Sequence, residues 1–329
     1  MRVILLAAAV LAVLVGSVPA ATLAQGGPVV VRLAEVYQTH SASTFDPIYP
    51  EAARKYGLNV QVIPFQRYAD IQIALATGRV DVGAFGYANI PIMAEQNVHN
   101  VQIIAGQSLG AQGVTLRKGV PARTWRDLEG LRVGVPPNST VDNEIKVVLR
   151  QENVDYNKIR WVTFSAMGPE VLQALKTGAI DAFVGWEPAP ATAAVEGYGT
   201  YAPFRLEDTP LRNINGLIGA NTEFLARHPE AAVGLLRALV ETTDYLNAHP
   251  DDWARIASAK TGVSLEVTKE AIKHSTLTYK MYRAPAKLLA HAMYQFGLTK
   301  SDHTPQVDIY MNYLYLTKVT GRPKNALGG

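Results

Sequence analysis

The chain has no cysteine among its 329 residues. Disulfides, thiolate metal sites and dithiol redox motifs are therefore excluded. A lipid-modified anchor, which is built on a cysteine at the processing site, is excluded with them. The seven histidines are scattered, with no pair at i, i+4 and no His-Glu-x-x-His, so neither a metal nor another cofactor is expected. Charge is sparse and nearly balanced, with 31 basic against 28 acidic residues, and no basic run interleaved with aromatics occurs. Nucleic acid is not an expected partner. No Gly-x-Gly-x-x-Gly follows a strand and no phosphate loop is present.

Long apolar runs are also missing after the first two dozen residues. The one that exists runs from Val3 to Val15 behind Arg2 and is followed by small residues through Ala20, Ala21 and Ala24. This is a secretory leader pattern, too short and wrongly flanked for a membrane span, with cleavage after Ala20 or Ala24 both fitting. The expected product is a soluble, monomeric periplasmic protein without a lipid anchor. About 300 residues, half of them apolar, favour two lobes over one.

What the chain does have is one phrase written twice. Ala74-Leu75-Ala76-Thr77-Gly78-Arg79-Val80-Asp81 leads through apolar residues to Gly86-Tyr87-Ala88-Asn89. Ala174-Leu175-Lys176-Thr177-Gly178-Ala179-Ile180-Asp181 leads likewise to Gly185-Trp186-Glu187-Pro188. Each reads as a helix stopped by a glycine, a short buried strand, and a loop opened by a Gly-aromatic pair. Strands precede both copies, at Val60–Phe65 and Ile159–Phe164. Two similar α/β lobes are expected, each presenting loops at the carboxyl ends of strands, where ligands bind in open α/β sheets.

The first strand, Val29 to Val36, runs into the hydroxyl-rich stretch Tyr37 to Thr44, read as a polar loop. Val114-Thr115-Leu116 reads as the strand leaving the first lobe, and Leu217 to Ala220 as the return to it. In the second lobe Val133-Gly134-Val135 leads through Pro136-Pro137-Asn138-Ser139-Thr140 into a helix. That helix start suits an anion or a polar head group, and Ser139 and Thr140 are expected to cap it as well as to line a site. The tail is helical, punctuated by Pro229, Pro250, Pro285 and Pro305, with its tyrosines packed as core and rim. Gly106-Gln107-Ser108-Leu109-Gly110 matches the nucleophile-elbow pattern, but the residues after it read as extended and no His and Asp complete a triad. Ser108 is expected as a lining hydroxyl or a turn residue, with no catalytic role. Asp81 and Asp181, at equivalent places in the repeat, are expected to hydrogen-bond backbone.

Taken together the chain resembles the type II solute-binding proteins of ATP-driven (ABC) importers, in the nitrate, sulfonate and taurine group that includes pyrimidine-precursor binders. The likeness is carried by Thr124-Trp125-Arg126-Asp127-Leu128-Glu129-Gly130 before a Val-Gly-Val strand and by Gly78 to Ala84. Trp186-Glu187-Pro188 and the run Glu223 to Glu230 add to it. The resemblance implies a two-lobed α/β periplasmic-binding-protein fold with two crossovers, near Leu116–Gly119 and Asn213–Gly216. The corresponding division is a leader over 1–24, a first lobe of 25–116 plus 216–329, and a second lobe of 117–215. It further implies a small-molecule ligand in the cleft and a membrane permease as partner, with no catalysis.

The expected ligand contacts are Tyr37, Gln38, Tyr87, Asn89, Ser108, Asn138, Ser139, Thr140, Trp186 and Glu187. Packing is the competing reading for the three aromatics, and helix capping for Asn89. Many oxyanion-binding relatives place Lys, Arg or His in the cleft loops, whereas here only His40 lies in such a stretch and Glu187 is acidic. A small organic solute is therefore expected: a taurine-like sulfonate first, a pyrimidine-like heterocycle second. A sensor or accessory protein on the same fold is the other binding role. A pyrimidine-forming enzyme of this group would need a cysteine-rich motif that this chain lacks.

Overall fold

A computed structural model describes residues 27–137 and 139–329. The leader and Asn138, both singled out above, lie outside the described residues. Among the described residues eleven strands follow one another: β1 (Val29–Glu35), β2 (Leu58–Pro64), β3 (Val82–Gly86), β4 (Val101–Gly110), β5 (Gln112–Arg117), β6 (Arg132–Val135), β7 (Arg160–Thr163), β8 (Ala182–Trp186), β9 (Gly199–Tyr201), β10 (Ile214–Asn221) and β11 (Ser275–Leu277). They form a six-stranded sheet in the order β11-β4-β10-β3-β1-β2 and a five-stranded sheet in the order β7-β6-β8-β5-β9.

The duplicated phrase becomes a duplicated sheet. β2-β1-β3 and β7-β6-β8 are both parallel runs with helices between the strands, and in each an antiparallel strand from across the crossover pairs next to the third. The reason for the repeated aspartates is visible in the contacts. Asp81 takes the backbone N–H of Arg32 at 2.8 Å and its guanidinium at 2.7 Å, and Asp181 takes those of Arg132 at 3.0 and 2.7 Å. Each pair pins the start of the third strand to the first, and Arg132 holds the Asp181 carboxyl down at about 2.

The first crossover lies earlier than the sequence implies. Val114-Thr115-Leu116, expected in the first lobe, pairs with Val184, Phe183 and Ala182 of the second sheet. The change of sheet occurs at Gly110 and Ala111, both left-handed at φ 75° and 65°, so that one residue separates two strands that otherwise read as continuous. The return passes through Arg212 and Asn213, also left-handed. The two passages are tied together: Gly110 N–H donates to the Asn213 carbonyl at 2.9 Å, and Asn215 Nδ2 donates to the Gly110 carbonyl at 2.8 Å.

Three tail helices begin where Pro229, Pro250 and Ser264 predict, and Pro305 caps the helix Gln306–Tyr310, but the helix expected to open at Pro285 begins at Arg283 and a further one, Leu314–Thr320, follows. The tail also supplies the edge strand β11, and its helix Leu265–Ala271 reaches the second lobe, packing Val267 and Ala271 against Ala191. Among the described residues, no helix is long and apolar enough to cross a membrane, and no His/Asp/Glu group is placed to hold a metal.

Candidate functional site

A cavity of about 570 Å³ opens between the two sheets, within the range of small-molecule clefts. The first lobe contributes Gln38 and His40 after β1, Arg67, Tyr68 and Gln72 from the helix Tyr68–Ala76 and its approach, and Asn89 and Gln96 after β3. The second lobe contributes Gln112, the Pro136–Pro137 turn, Ser139, Thr140, Ser165 and Trp186, and the return crossover adds Asn215.

Five of the sequence-predicted contacts meet here: Gln38, Asn89, Ser139, Thr140 and Trp186. Ser139 caps the helix Thr140–Gln151, its Oγ accepting from Asp142 N–H at 3.2 Å, so the positive end of a twelve-residue helix points at the cleft. Asn89 does not cap its helix. Its Oδ1 accepts from Gly86 N–H at 3.1 Å and its Nδ2 donates to Gln72 at 2.7 Å, which fixes the turn after β3. The lobes touch where Thr140 meets Gly86: a Cβ added at Gly86 would lie 2.2 Å from Thr140 Oγ1.

Four others point elsewhere. Tyr37 packs edge-on against Phe45, and its hydroxyl donates to Asp46 at 2.7 Å, away from the cleft. Ser108 is buried inside β4, facing Gly216. Gly106 to Gly110 stay within one strand, so the strand-turn-helix that a nucleophile elbow needs is not formed. Tyr87 is buried with its hydroxyl accepting from Tyr282 N–H at 2.9 Å. The Glu187 carboxylate accepts from Tyr201 Oη at 2.7 Å and Ala191 N–H at 3.1 Å, so the donor it requires is supplied by the protein. Tyr87 and Glu187 share a cause. With the aspartates aligned, β3 and β8 coincide residue for residue. Gly86 then matches Trp186, and Tyr87 matches Glu187. Trp186 lines the cleft and Gly86 faces Thr140, whereas 87 and 187 lie one residue on, in the turns after the strands, with their side chains held by Tyr282 and by Tyr201 and Ala191.

Burial pushes the Glu187 carboxyl up to about 8, against smaller opposing contributions from Tyr201 and Ala191. A folded value above the unfolded one means that stability is complete below about 4.3 and falls as pH rises toward 8. Glu187→Gln should remove up to about 1.4 kcal/mol per pH unit of that slope between pH 5 and 8. Urea unfolding at three pH values reads this, and an unchanged slope would refute it.

His40, Arg67, Tyr68, Gln72, Gln96, Gln112, Ser165 and Asn215 carried no sequence signal as contacts; His40 was remarked on only as a cation candidate. The expected polar loop Tyr37 to Thr44 is in part a short 3-10 helix, Thr39–Thr44, with all six residues buried. Its burial is made possible by Glu35, which accepts from Val36 N–H at 2.9 Å, from Gln107 Nε2 at 2.7 Å and from Thr44 Oγ1. Burial raises the Glu35 carboxyl to about 8, against smaller opposing contributions from Thr44, Val36 and Gln107.

With two duplicated sheets around a cleft, the molecule has the periplasmic-binding-protein fold. Its solved neighbours include the aliphatic sulphonate binding protein SsuA from Escherichia coli, with TM-score 0.73, 16% identity and coverage of 87% of this chain and 98% of that one. The nitrate-binding protein NrtA from Synechocystis PCC 6803 gives TM-score 0.73, 15% identity and 91% coverage of each chain. The desulfurization enzyme DSZB, at TM-score 0.65, 14% identity and coverage of 89% and 99%, shares the fold. A family model described as NMT1/THI5-like matches residues 53–253, and the chain belongs to that family. The taurine-binding periplasmic protein of Escherichia coli K12 is 26% identical over 212 residues, 62% of this chain and 62% of that protein. The match thus spans under two thirds of that relative's length.

Proposed function

We propose that this is an exported, monomeric solute-binding protein that captures a small organic solute, an organosulfonate first, and delivers it to the permease of an ABC importer without catalysis. The observation that carries the reading is the cleft, whose walls come from both lobes and hold the N-terminus of Thr140–Gln151 together with the aromatic Trp186. A helix N-terminus favours an acidic group and an aromatic face favours an apolar body. The taurine-binding relative and the sulfonate-binding neighbour support the class.

A pyrimidine-like heterocycle is the second reading, favoured by seven side-chain amides among the described residues of the wall, at Gln38, Gln66, Gln72, Asn89, Gln96, Gln112 and Asn215. Such groups offer donors and acceptors side by side, as the edge of a heterocycle does. A thermal-shift panel of alkyl- and arylsulfonates and pyrimidines tests both. A ligand at a hundred times its Kd adds about 2.7 kcal/mol, so the cognate class should raise the midpoint by several degrees. Silence from all sulfonates with a response to pyrimidines would reverse the order, and silence from both would reject the ligand class.

A further inference from the structure

One group on the cleft wall is unaccounted for by the fold. His40 is 1% exposed, and neither ring nitrogen has a hydrogen-bond partner in the protein. A buried polar group left unpaired costs free energy and is uncommon in proteins, so an unpaired one on a cavity wall points to a partner that arrives with the ligand. It stands at the start of the short helix after β1, as Thr140 stands at the start of the helix after β6, and both line the cavity.

The charge of the wall narrows what that partner is. Among the described residues lining the cleft there is no aspartate or glutamate. Arg67 is the permanent cation there, at the rim, with its guanidinium exposed and paired to Asp70. Behind the wall lie Glu35, engaged by Val36, Gln107 and Thr44, Asp142, paired with Lys146 at 2.8 Å, and Glu144, which accepts from Gln112 Nε2 at 3.2 Å. An ammonium group drawn into this cavity would meet amide and hydroxyl oxygens but no carboxylate on the wall itself. An acidic group would meet the helix N-terminus, and it would bring an acceptor to His40, whose unpaired ring nitrogens lie just beneath the cavity surface.

We propose that His40 is the residue that receives the acidic end of the ligand, and that the cleft selects organic anions carrying no amino group. This rests on the solute-binding reading above and sharpens it: a taurine-like zwitterion becomes a poor ligand, and an alkyl- or arylsulfonate without an amine a good one.

The probes are two matched pairs, ethanesulfonate with taurine, and benzenesulfonate with 4-(aminomethyl)benzenesulfonate, titrated calorimetrically. The amine-free member of each pair should bind wild type roughly tenfold or more tightly, the scale of an uncompensated charged group. His40→Phe should weaken the amine-free probes by a similar factor without lowering the unfolding midpoint, because it replaces two unpaired polar atoms by apolar ones. His40→Gln, which keeps a donor, should retain part of the affinity. In wild type the His40 ring nitrogens should shift in ¹⁵N spectra as benzenesulfonate is added, a readout independent of whether His40→Phe folds. Amine-bearing probes binding as tightly as their partners, or an unmoved imidazole at saturation, would overturn this inference alone. If no sulfonate binds wild type, the solute class falls and this inference with it.

Discussion

Gly106→Ala is expected to destabilise the protein by about 3 kcal/mol or more, lowering the unfolding midpoint on the order of 5–10 °C. The backbone conformation at Gly106 is not the cause, since its φ is not in the left-handed region. The cause is proximity. A Cβ there would sit 1.9 Å from the Lys280 carbonyl oxygen and 2.8 Å from its carbon. Those are backbone atoms, held by Gly106 N–H donating to the Tyr279 carbonyl at 2.9 Å and Thr278 N–H donating to the Gln107 carbonyl at 3.0 Å. No rotamer change relieves the overlap, so the segment Thr278–Lys280 must leave β4. That segment follows the edge strand β11 and leads to Tyr282, whose N–H ties the tail to Tyr87. Gly113→Ala is the control, because an added Cβ there meets nothing within 4 Å and the change should stay within about 0.5 kcal/mol. Equal midpoints for the two variants would show that the tail is not held by this contact. The result also bears on the Gly106 to Gly110 motif. Both glycines serve close packing, the second with its would-be Cβ 2.5 Å from the His274 carbonyl oxygen, and neither makes a nucleophile's turn.

The duplicated phrase made the two sheets legible because periodicity and glycine stops are local, and the equal spacing of Asp81 and Asp181 survives as equal ion pairs. Three things were not legible, each for a physical reason. The register of the cleft loops turned on one residue, and a slip of one sends every side chain to the other face. Matching Gly86-Tyr87 to Gly185-Trp186 pairs Tyr87 with Trp186, whereas the aligned aspartates pair Trp186 with Gly86 and Tyr87 with Glu187. The first crossover hid in Ala111, since a left-handed alanine leaves no mark on composition. The stretch Tyr37 to Thr44 reads as a polar loop, and its burial is not legible, because its compensation comes from Gln107 and Glu35, which only the fold brings within reach. His40 carried no sign of its place on the cavity wall for the same reason, whereas Ser139 and Thr140, whose capping position is written in a local helix start, lie on that wall as their spacing suggests.

Gly86→Val is expected to weaken ligand binding roughly thirtyfold, about 2 kcal/mol, while leaving the ligand-free protein as stable as wild type. Gly86 ends β3 in the first lobe, and Thr140 begins the helix Thr140–Gln151 in the second. An added Cβ would lie 2.2, 3.2 and 3.4 Å from Thr140 Oγ1, Cβ and Cγ2, so no rotation of Thr140 clears all three. The overlap exists only when the lobes are together. In a hinge-closing protein the open form escapes it, and the whole cost falls on the closed state that holds ligand. Removing Thr140 Oγ1 and Cγ2 should return much of the loss, so Gly86→Val should cost less in a Thr140→Ala background, by about 1 kcal/mol. The measurement is a double-mutant cycle with whichever sulfonate binds wild type. Small-angle scattering should show the radius of gyration falling on saturation in wild type and much less in Gly86→Val. Additive effects of the two substitutions, with unchanged compaction, would mean that the lobes do not close through this contact.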